Sequence, residues 1–257
     1  MKLSKVTAIY FSPTGNSKKS ALAIAGDLSR NVEEIDITKI SQCPESLNFG
    51  PRDFTVIAAP VYGGRLYKGF VERIKHIRGG FGKCVAIVTY GNRHYDDAIM
   101  ELRNVLIDQD FIPIGCAALV GRHTYGEIQT DRPNYDDFVE YKGFARDVLA
   151  KIESGRFTVP AVDGNIENYK EGGNGGSFRP LTSDKCVKCG ICAMECPEEA
   201  ISFDDFSKID DKKCISCFRC IRICPVGAKN MDTEEYNAFA SMFSKKLRHR
   251  RENEYFI

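Results

Sequence analysis

From residue 2 to about residue 152, short apolar runs alternate with amphipathic stretches, the pattern of a parallel sheet whose strands are joined by crossover helices. Five runs rich in Val, Ile or Phe, at 5–11, 32–37, 54–60, 84–90 and 112–120, predict strands buried on both faces. Helical spacing predicts helices over 16–28, 66–77, 95–109 and 135–152. Asp96 and Asp97 suit the start of the third, and Gly79-Gly80 the end of the second. Residues 38–51 show no clear period. The pattern changes over 161–179, where Gly164, Gly172, Gly173, Gly175 and Gly176 stand among few large apolar residues, a composition that packs no core and predicts a flexible linker. Helical spacing returns at 234–247. The 257 residues exceed one typical domain. The expected organisation is an α/β domain over 1–155, a Gly-rich linker over 156–180, a small cysteine-rich domain over 181–231, and a helical tail over 232–257.

Eight of the eleven cysteines fall between positions 186 and 224. Residues 1–10 show no long apolar stretch and no small-residue cleavage site, and no run of about 18 apolar residues occurs, so a cytoplasmic protein is expected. A reducing cytoplasm disfavours disulfides, and clustered thiols then point to metal. Cys186, Cys189, Cys192 and Cys196 with Pro197 spell C-x2-C-x2-C-x3-C-P, and Cys214, Cys217, Cys220 and Cys224 with Pro225 repeat it 28 positions later. The repeat extends to Ala200 and Ala228, predicting two copies of one cluster-binding hairpin. Three thiolates on a tight loop reach three corners of a cubane, and the fourth comes from farther away. In the two-cluster arrangement it comes from the other copy, so Cys186, Cys189, Cys192 and Cys224 are expected on one 4Fe-4S cluster and Cys214, Cys217, Cys220 and Cys196 on the other. A structural zinc site is the alternative, but zinc ribbons space their C-x2-C pairs farther apart. Cys43, Cys84 and Cys116 read as buried hydrophobes. With these motifs in view, residues 181–231 resemble bacterial two-cluster ferredoxins, which are low-potential one-electron carriers.

Directly after the first predicted strand come Ser12, Pro13, Thr14, Gly15, Asn16 and Ser17, opening the first helix. A Gly-containing turn at a helix N-terminus presents free N–H groups and the positive end of the dipole to a phosphate. The sequence has neither G-x4-G-K-[ST] nor G-x-G-x-x-G, so an NTPase loop and a dinucleotide loop are both disfavoured. The alternative reading is a helix cap. In a doubly wound sheet the loops beyond the third and fourth strands line the same site. Here they carry Pro60, Val61, Tyr62, Gly63, Gly64 and Arg65, then Thr89, Tyr90, Gly91, Asn92, Arg93, His94, Tyr95 and Asp96. Each sets an aromatic beside glycines, so a flat ring could stack while backbone approaches its edge.

The 12–17 segment resembles the [ST]-x-T-G-N-[ST] phosphate loop of flavodoxins, and residues 3–152 as a whole resemble that family. The resemblance implies a flavodoxin-like doubly wound five-stranded parallel sheet of order 2-1-3-4-5, followed here by a small α+β two-cluster ferredoxin domain. It also implies FMN in the cleft formed by the three loops, with Tyr62 and Tyr90 stacking on the ring. Arg65, Arg93 and His94 are a departure, placing cations near the expected flavin.

The whole chain resembles the flavodoxin–ferredoxin fusion proteins of anaerobic bacteria and archaea. What this implies is an electron carrier passing electrons between two 4Fe-4S clusters and FMN, serving a low-potential donor protein and an acceptor protein. The alternative is an FMN-dependent reductase of a quinone, nitro compound or oxygen, with residues 123–133 as a substrate lid. An iron or oxygen sensor ranks last, because no DNA-binding helix pair is evident. A formal charge of +1 implies no bulk attraction to nucleic acid. His94 and His123 have no accompanying nucleophile and read as pocket liners. Lys245, Lys246, Arg248, His249, Arg250 and Arg251 make the tail basic, either for docking or as a solvated helix end.

Overall fold

The five apolar runs form one parallel sheet. In the computed structural model, which describes residues 2–257, the strands are β1 (Val6–Tyr10), β2 (Val32–Asp36), β3 (Phe54–Tyr62), β4 (Lys83–Tyr90) and β5 (Ile112–Val120). Their order is 2-1-3-4-5, with every pairing parallel. Helices α1 (Asn16–Leu28) and α4 (Tyr135–Glu153) cover one face, where Ile24, Leu28, Tyr141, Phe144 and Val148 share a core with Val56 and Ile87. Helices α2 (Lys68–Ile74) and α3 (Ala98–Asp108) cover the other with Phe70, Ile74, Ile99 and Leu102. A parallel sheet in this order with helices on both faces is the flavodoxin-like doubly wound architecture.

Three differences from the sequence reading have local causes. Strand β2 is an edge strand and only half buried, because Glu33 and Glu34 lie at the surface in ion pairs with Lys5 and Lys18. The helix expected over 66–77 is shorter at both ends. Arg65–Leu66 pairs back on β3, and Ile77–Arg78 pairs with Leu47–Asn48 inside the region of unclear period. Third, the chain end is a strand rather than only a helix: after α7 (Glu234–Lys246), β6 (Glu254–Phe256) runs antiparallel to β5. The tail clasps the α/β sheet.

The Gly-rich stretch is a packed strap, which corrects the expectation of a flexible linker. Gly173 N–H donates to the Tyr62 carbonyl at 2.8 Å and its own carbonyl accepts from Lys68 N–H at 2.9 Å. The Asp97 carboxylate accepts the N–H groups of Asn165 and Lys170, and the Arg65 guanidinium lies 4.4 Å from the Tyr169 ring centroid. Its glycines are there because backbone passes backbone: a Cβ on Gly172 would lie 2.8 Å from the Gly63 carbonyl oxygen.

The cysteine-rich region repeats its backbone along with its sequence. Lys188 and Ser216, then Gly190 and Phe218, all have positive φ. Single turns α5 (Ile191–Met194) and α6 (Arg219–Arg222) follow, and Leu181–Thr182 pairs with Lys229–Asn230 to join the start of the region to its end. Ala200 and Ala228 are buried at equivalent positions. No helix among the described residues is long and apolar enough to cross a membrane.

Candidate functional site

At the carboxyl ends of β1, β3 and β4, the three predicted loops meet in a cleft of about 280 Å³. Ser12, Thr14, Asn16 and Ser17 form one wall, Pro60, Val61, Tyr62 and Gly63 a second, and Thr89, Tyr90 and Gly91 a third. Gly15, with φ of 94°, is the N-cap of α1 and provides no side-chain cap. Ser12 Oγ accepts the Lys18 N–H at 3.0 Å, so one hydroxyl of the loop does serve the helix. The helix's first N–H groups have no acceptor within the helix, and Asn16 and Ser17, which carry two of them, line the cleft. Two polar side chains of the loop tie its walls together: Asn16 Nδ2 donates to the Arg122 carbonyl at 2.8 Å, and the Ser17 hydroxyl pairs with that of Thr89 at 2.8 Å. Thr14 also lines the cleft.

Gly15 does not itself line the cleft, and four more predicted residues do not either. Gly64 backs onto Asp96, whose carboxylate oxygen lies 2.2 Å from where a Cβ would stand. Asp96 itself pairs with Arg93 and Lys170. Asn92 is buried and holds the tail, donating to the carbonyls of Leu247 and His249 and accepting from Arg251 N–H. Tyr95 is buried with its hydroxyl donating to Glu254 at 2.5 Å. Asn92 and Tyr95 turn toward the tail, Asp96 toward the strap, and Gly64 toward Asp96. The cations expected near the cleft are engaged elsewhere as well. Arg65 makes a two-point ion pair with Glu101, and Arg93 is bound to Asp96. The basic tail is anchored through its backbone, by Asn92, while its basic side chains are exposed.

The fourth wall comes from residues after β5 that the motifs did not single out as ligands: Arg122, His123, Thr124 and Tyr125. Their place beyond a strand's carboxyl end was the available signal. His123 Nδ1 accepts the Tyr125 N–H at 2.8 Å, which leaves the ring proton on Nε2. Burial pushes the His123 imidazole down to about 4, so it is neutral at physiological pH. Burial likewise raises the Tyr90 phenol to about 12, and its hydroxyl donates to the Glu252 carbonyl of the tail.

The eight repeat cysteines divide between two small cavities. One is lined by Cys186, Cys189, Cys192 and Cys224, the other by Cys196, Cys214, Cys217 and Cys220. The last cysteine of each copy thus stands with the first three of the other. Backbone N–H groups point at both crossing sulfurs, from Ala200 to Cys196 Sγ at 3.3 Å and from Ala228 to Cys224 Sγ at 3.2 Å. Burial alone would raise the Cys224 thiol, but the N–H groups of residues 226–229 outweigh it and hold it below the usual thiol range. Four thiols around each cavity, with N–H donors on the sulfurs, are a donor set that fits a cubane. Cys189 is exposed, and Val187, also exposed, lines the first cavity beside it.

The second cavity abuts the loop cleft. Ser216, between Cys214 and Cys217, lines the cleft together with Asn174, Gly175 and Gly176 of the strap. Ile215 and Cys217 pack in the α/β core. Arg219 donates to the Pro13 carbonyl of the 12–17 loop at 3.0 Å, Arg73 to the Pro197 carbonyl at 2.9 Å, and Arg222 to the His123 carbonyl at 3.1 Å. A Cβ on Gly175 would lie 2.3 Å from Ile215 Cα. Gly175→Val is therefore expected to push the cysteine loop off the cleft. Overpacking of this kind costs about 1–3 kcal/mol, so denaturant unfolding of the variant should show a loss of stability of that size.

Residues 185–228 match the 4Fe-4S dicluster domain family. No curated protein matches the chain. Solved structures overlap its first part. A flavodoxin from the domain Archaea is 14% identical, covering 58% of this chain and 99% of its own, with a TM-score of 0.37. A flavodoxin from Streptococcus pneumonia TIGR4 is 17% identical, covering 58% and 99%, with a TM-score of 0.40. Rubredoxin oxygen:oxidoreductase from the anaerobe Desulfovibrio gigas is 18% identical, covering 59% and 38%, with a TM-score of 0.37. The strand order, not these overlaps, identifies the architecture: a flavodoxin-like domain followed by a 4Fe-4S-binding domain.

Proposed function

We propose that this chain, a flavodoxin-like domain joined to a 4Fe-4S domain, is an electron-transfer protein that holds FMN in the loop cleft and two 4Fe-4S clusters in the cysteine cavities. It thereby couples one-electron and two-electron redox partners. The carrying observation is that Ser216, inside the Cys214 to Cys217 loop, is itself a wall of the cleft. Cys186, Cys189, Cys192 and Cys224 would hold one cluster, and Cys196, Cys214, Cys217 and Cys220 the other. Thr14 and the backbone of 12–17 would hold the phosphate, and Tyr62 and Tyr90 would flank the ring. When bound, the clusters supply single-electron chemistry and the flavin supplies paired-electron chemistry.

The chain's own residues set the geometry. Arg219, Arg73 and Arg222 bond across the junction and β6 clasps the sheet, so the two parts are held in register rather than meeting through a floppy tether. His123, neutral and with Nε2 carrying its proton, offers a hydrogen-bond donor at the cleft without adding charge. The exposed side of the first cavity, at Cys189 and Val187, is where a redox partner would meet the chain.

The carrier reading is preferred to a reductase because the cleft is small and is roofed by the strap and the cysteine loop. Anaerobic reconstitution followed by iron, sulfide and released-flavin analysis tests the assignment. About eight irons and one FMN per chain are expected. Iron without flavin would return Ser12 and its neighbours to helix capping, and zinc in place of iron would overturn the cluster assignment.

A further inference from the structure

A further cavity, of about 510 Å³, opens between the 122–127 loop, α6 and α7. The electron-transfer reading gives it no role, yet its walls carry two guanidiniums, those of Arg122 and Arg222. Their charge is poorly balanced. Among the described residues Arg222 makes one hydrogen bond, to the His123 carbonyl, and no ion pair. Arg122 reaches Glu127 only at 3.6 Å, through a carboxylate side chain 79% exposed, and its Nε is buried without a hydrogen-bond partner. The other carboxylate on the wall, Asp232, is exposed and accepts from Asn237. Arg222 is exposed and the Arg122 side chain is 41% exposed, so both guanidiniums are within reach of a ligand entering from solvent.

Such a pair is stabilised by an anion whose oxygens accept from both planar forks, and a dianion matches the charge of two arginines. The remaining walls suit the organic part of a small molecule, with the rings of Phe218 and Tyr236 and the hydroxyl groups of Thr124 and Ser241. We propose that this cavity is a binding site for a small phosphate monoester, its phosphoryl group seated between Arg122 and Arg222. Arg122 and Thr124 line both cavities, so an anion bound there neutralises a charge on the wall of the loop cleft. The site is defined by binding alone and stands whether or not electrons pass through the chain.

Calorimetric titration of the full reconstituted protein with inorganic phosphate, sulfate and succinate at low ionic strength tests it. Saturable binding of phosphate, shared by sulfate as a dianion of like shape, is expected. Arg222→Gln keeps an N–H donor for the His123 carbonyl while removing the charge, and should weaken phosphate binding about tenfold or more. Ser241→Glu places a carboxylate in the wall without touching either arginine's partners and should abolish it. The proposal is overturned by the absence of saturable phosphate binding or by preference for succinate over phosphate. Binding indifferent to both substitutions, as phosphate held at the 12–17 loop would be, also overturns it.

Discussion

Replacing Cys217 with serine is expected to lower bound iron from about eight to about four per chain and to destabilise the α/β domain as well. Cys217 and Ile215 are part of that domain's core, so losing the group they frame uncouples a core contact and not merely a metal. Cys189→Ser should cost the same iron, because Cys189 lines the other cavity, but Cys189 is exposed and no residue lining that cavity belongs to the α/β core. Iron analysis with thermal unfolding followed by circular dichroism separates the two. Equal iron loss with a lower midpoint only in Cys217→Ser is expected. A larger loss of stability in Cys189→Ser would contradict the placement of the second cavity at the junction.

The next largest effect lies in the clasp. Arg132 and Asp137 form a fully buried ion pair, 0% exposed on both sides. Arg132 also donates to the Arg251 carbonyl at 2.6 Å, and Asn253 donates to Asp137 at 2.9 Å, so the pair anchors the segment leading into β6. Asp137→Ala leaves a guanidinium buried and unpaired, which costs about 3–5 kcal/mol. Denaturant unfolding of the two proteins should show that difference at neutral pH. Burial alone would raise the Asp137 carboxyl, but Arg132, the Asn134 N–H and Asn253 outweigh it and hold it below the usual carboxylate range. A carboxylate with a lowered folded pKa contributes its stability above the unfolded value of about 3.9 and loses it as pH falls through the folded one. The gap between wild type and Asp137→Ala should therefore stay constant above about pH 4 and narrow below it. A gap under about 1 kcal/mol at neutral pH would show that the tail is held by other contacts.

These two sites also mark where the sequence was legible and where it was not. Continuous apolar runs declared β1, β3, β4 and β5, because strands buried on both faces have no room for polar positions. The cysteine spacing declared which four thiols would share each cavity, because a repeated loop constrains its own geometry. Strand β6 was invisible. Its three residues, Glu254, Tyr255 and Phe256, have no period of their own, and their pairing with β5 spans most of the chain. The strap was misread for a related reason. Glycine-rich composition looks the same whether glycines confer freedom or permit close approach, and Gly172 and Gly175 do the latter. Asn92, Tyr95 and Asp96 adjoin a loop that does line the cleft, yet they turn toward a tail and strap whose position no local pattern reveals. His123 was read from the sequence as a pocket liner and does line the cleft, and Arg122 was within reach of the rule that strand ends build the site, since it follows β5 directly.

The central claim, that the cysteine loop and the cleft form one redox unit, is tested most directly by rapid mixing. Reconstituted protein is mixed with less than one equivalent of a one-electron reductant at several protein concentrations, and flavin absorbance is followed beside iron–sulfur absorbance. Junction contacts such as Ser216 on the cleft wall predict a flavin signal that follows the iron–sulfur signal with a first-order rate independent of protein concentration. A rate rising in proportion to protein concentration would mean that electrons pass between chains, and would contradict the account.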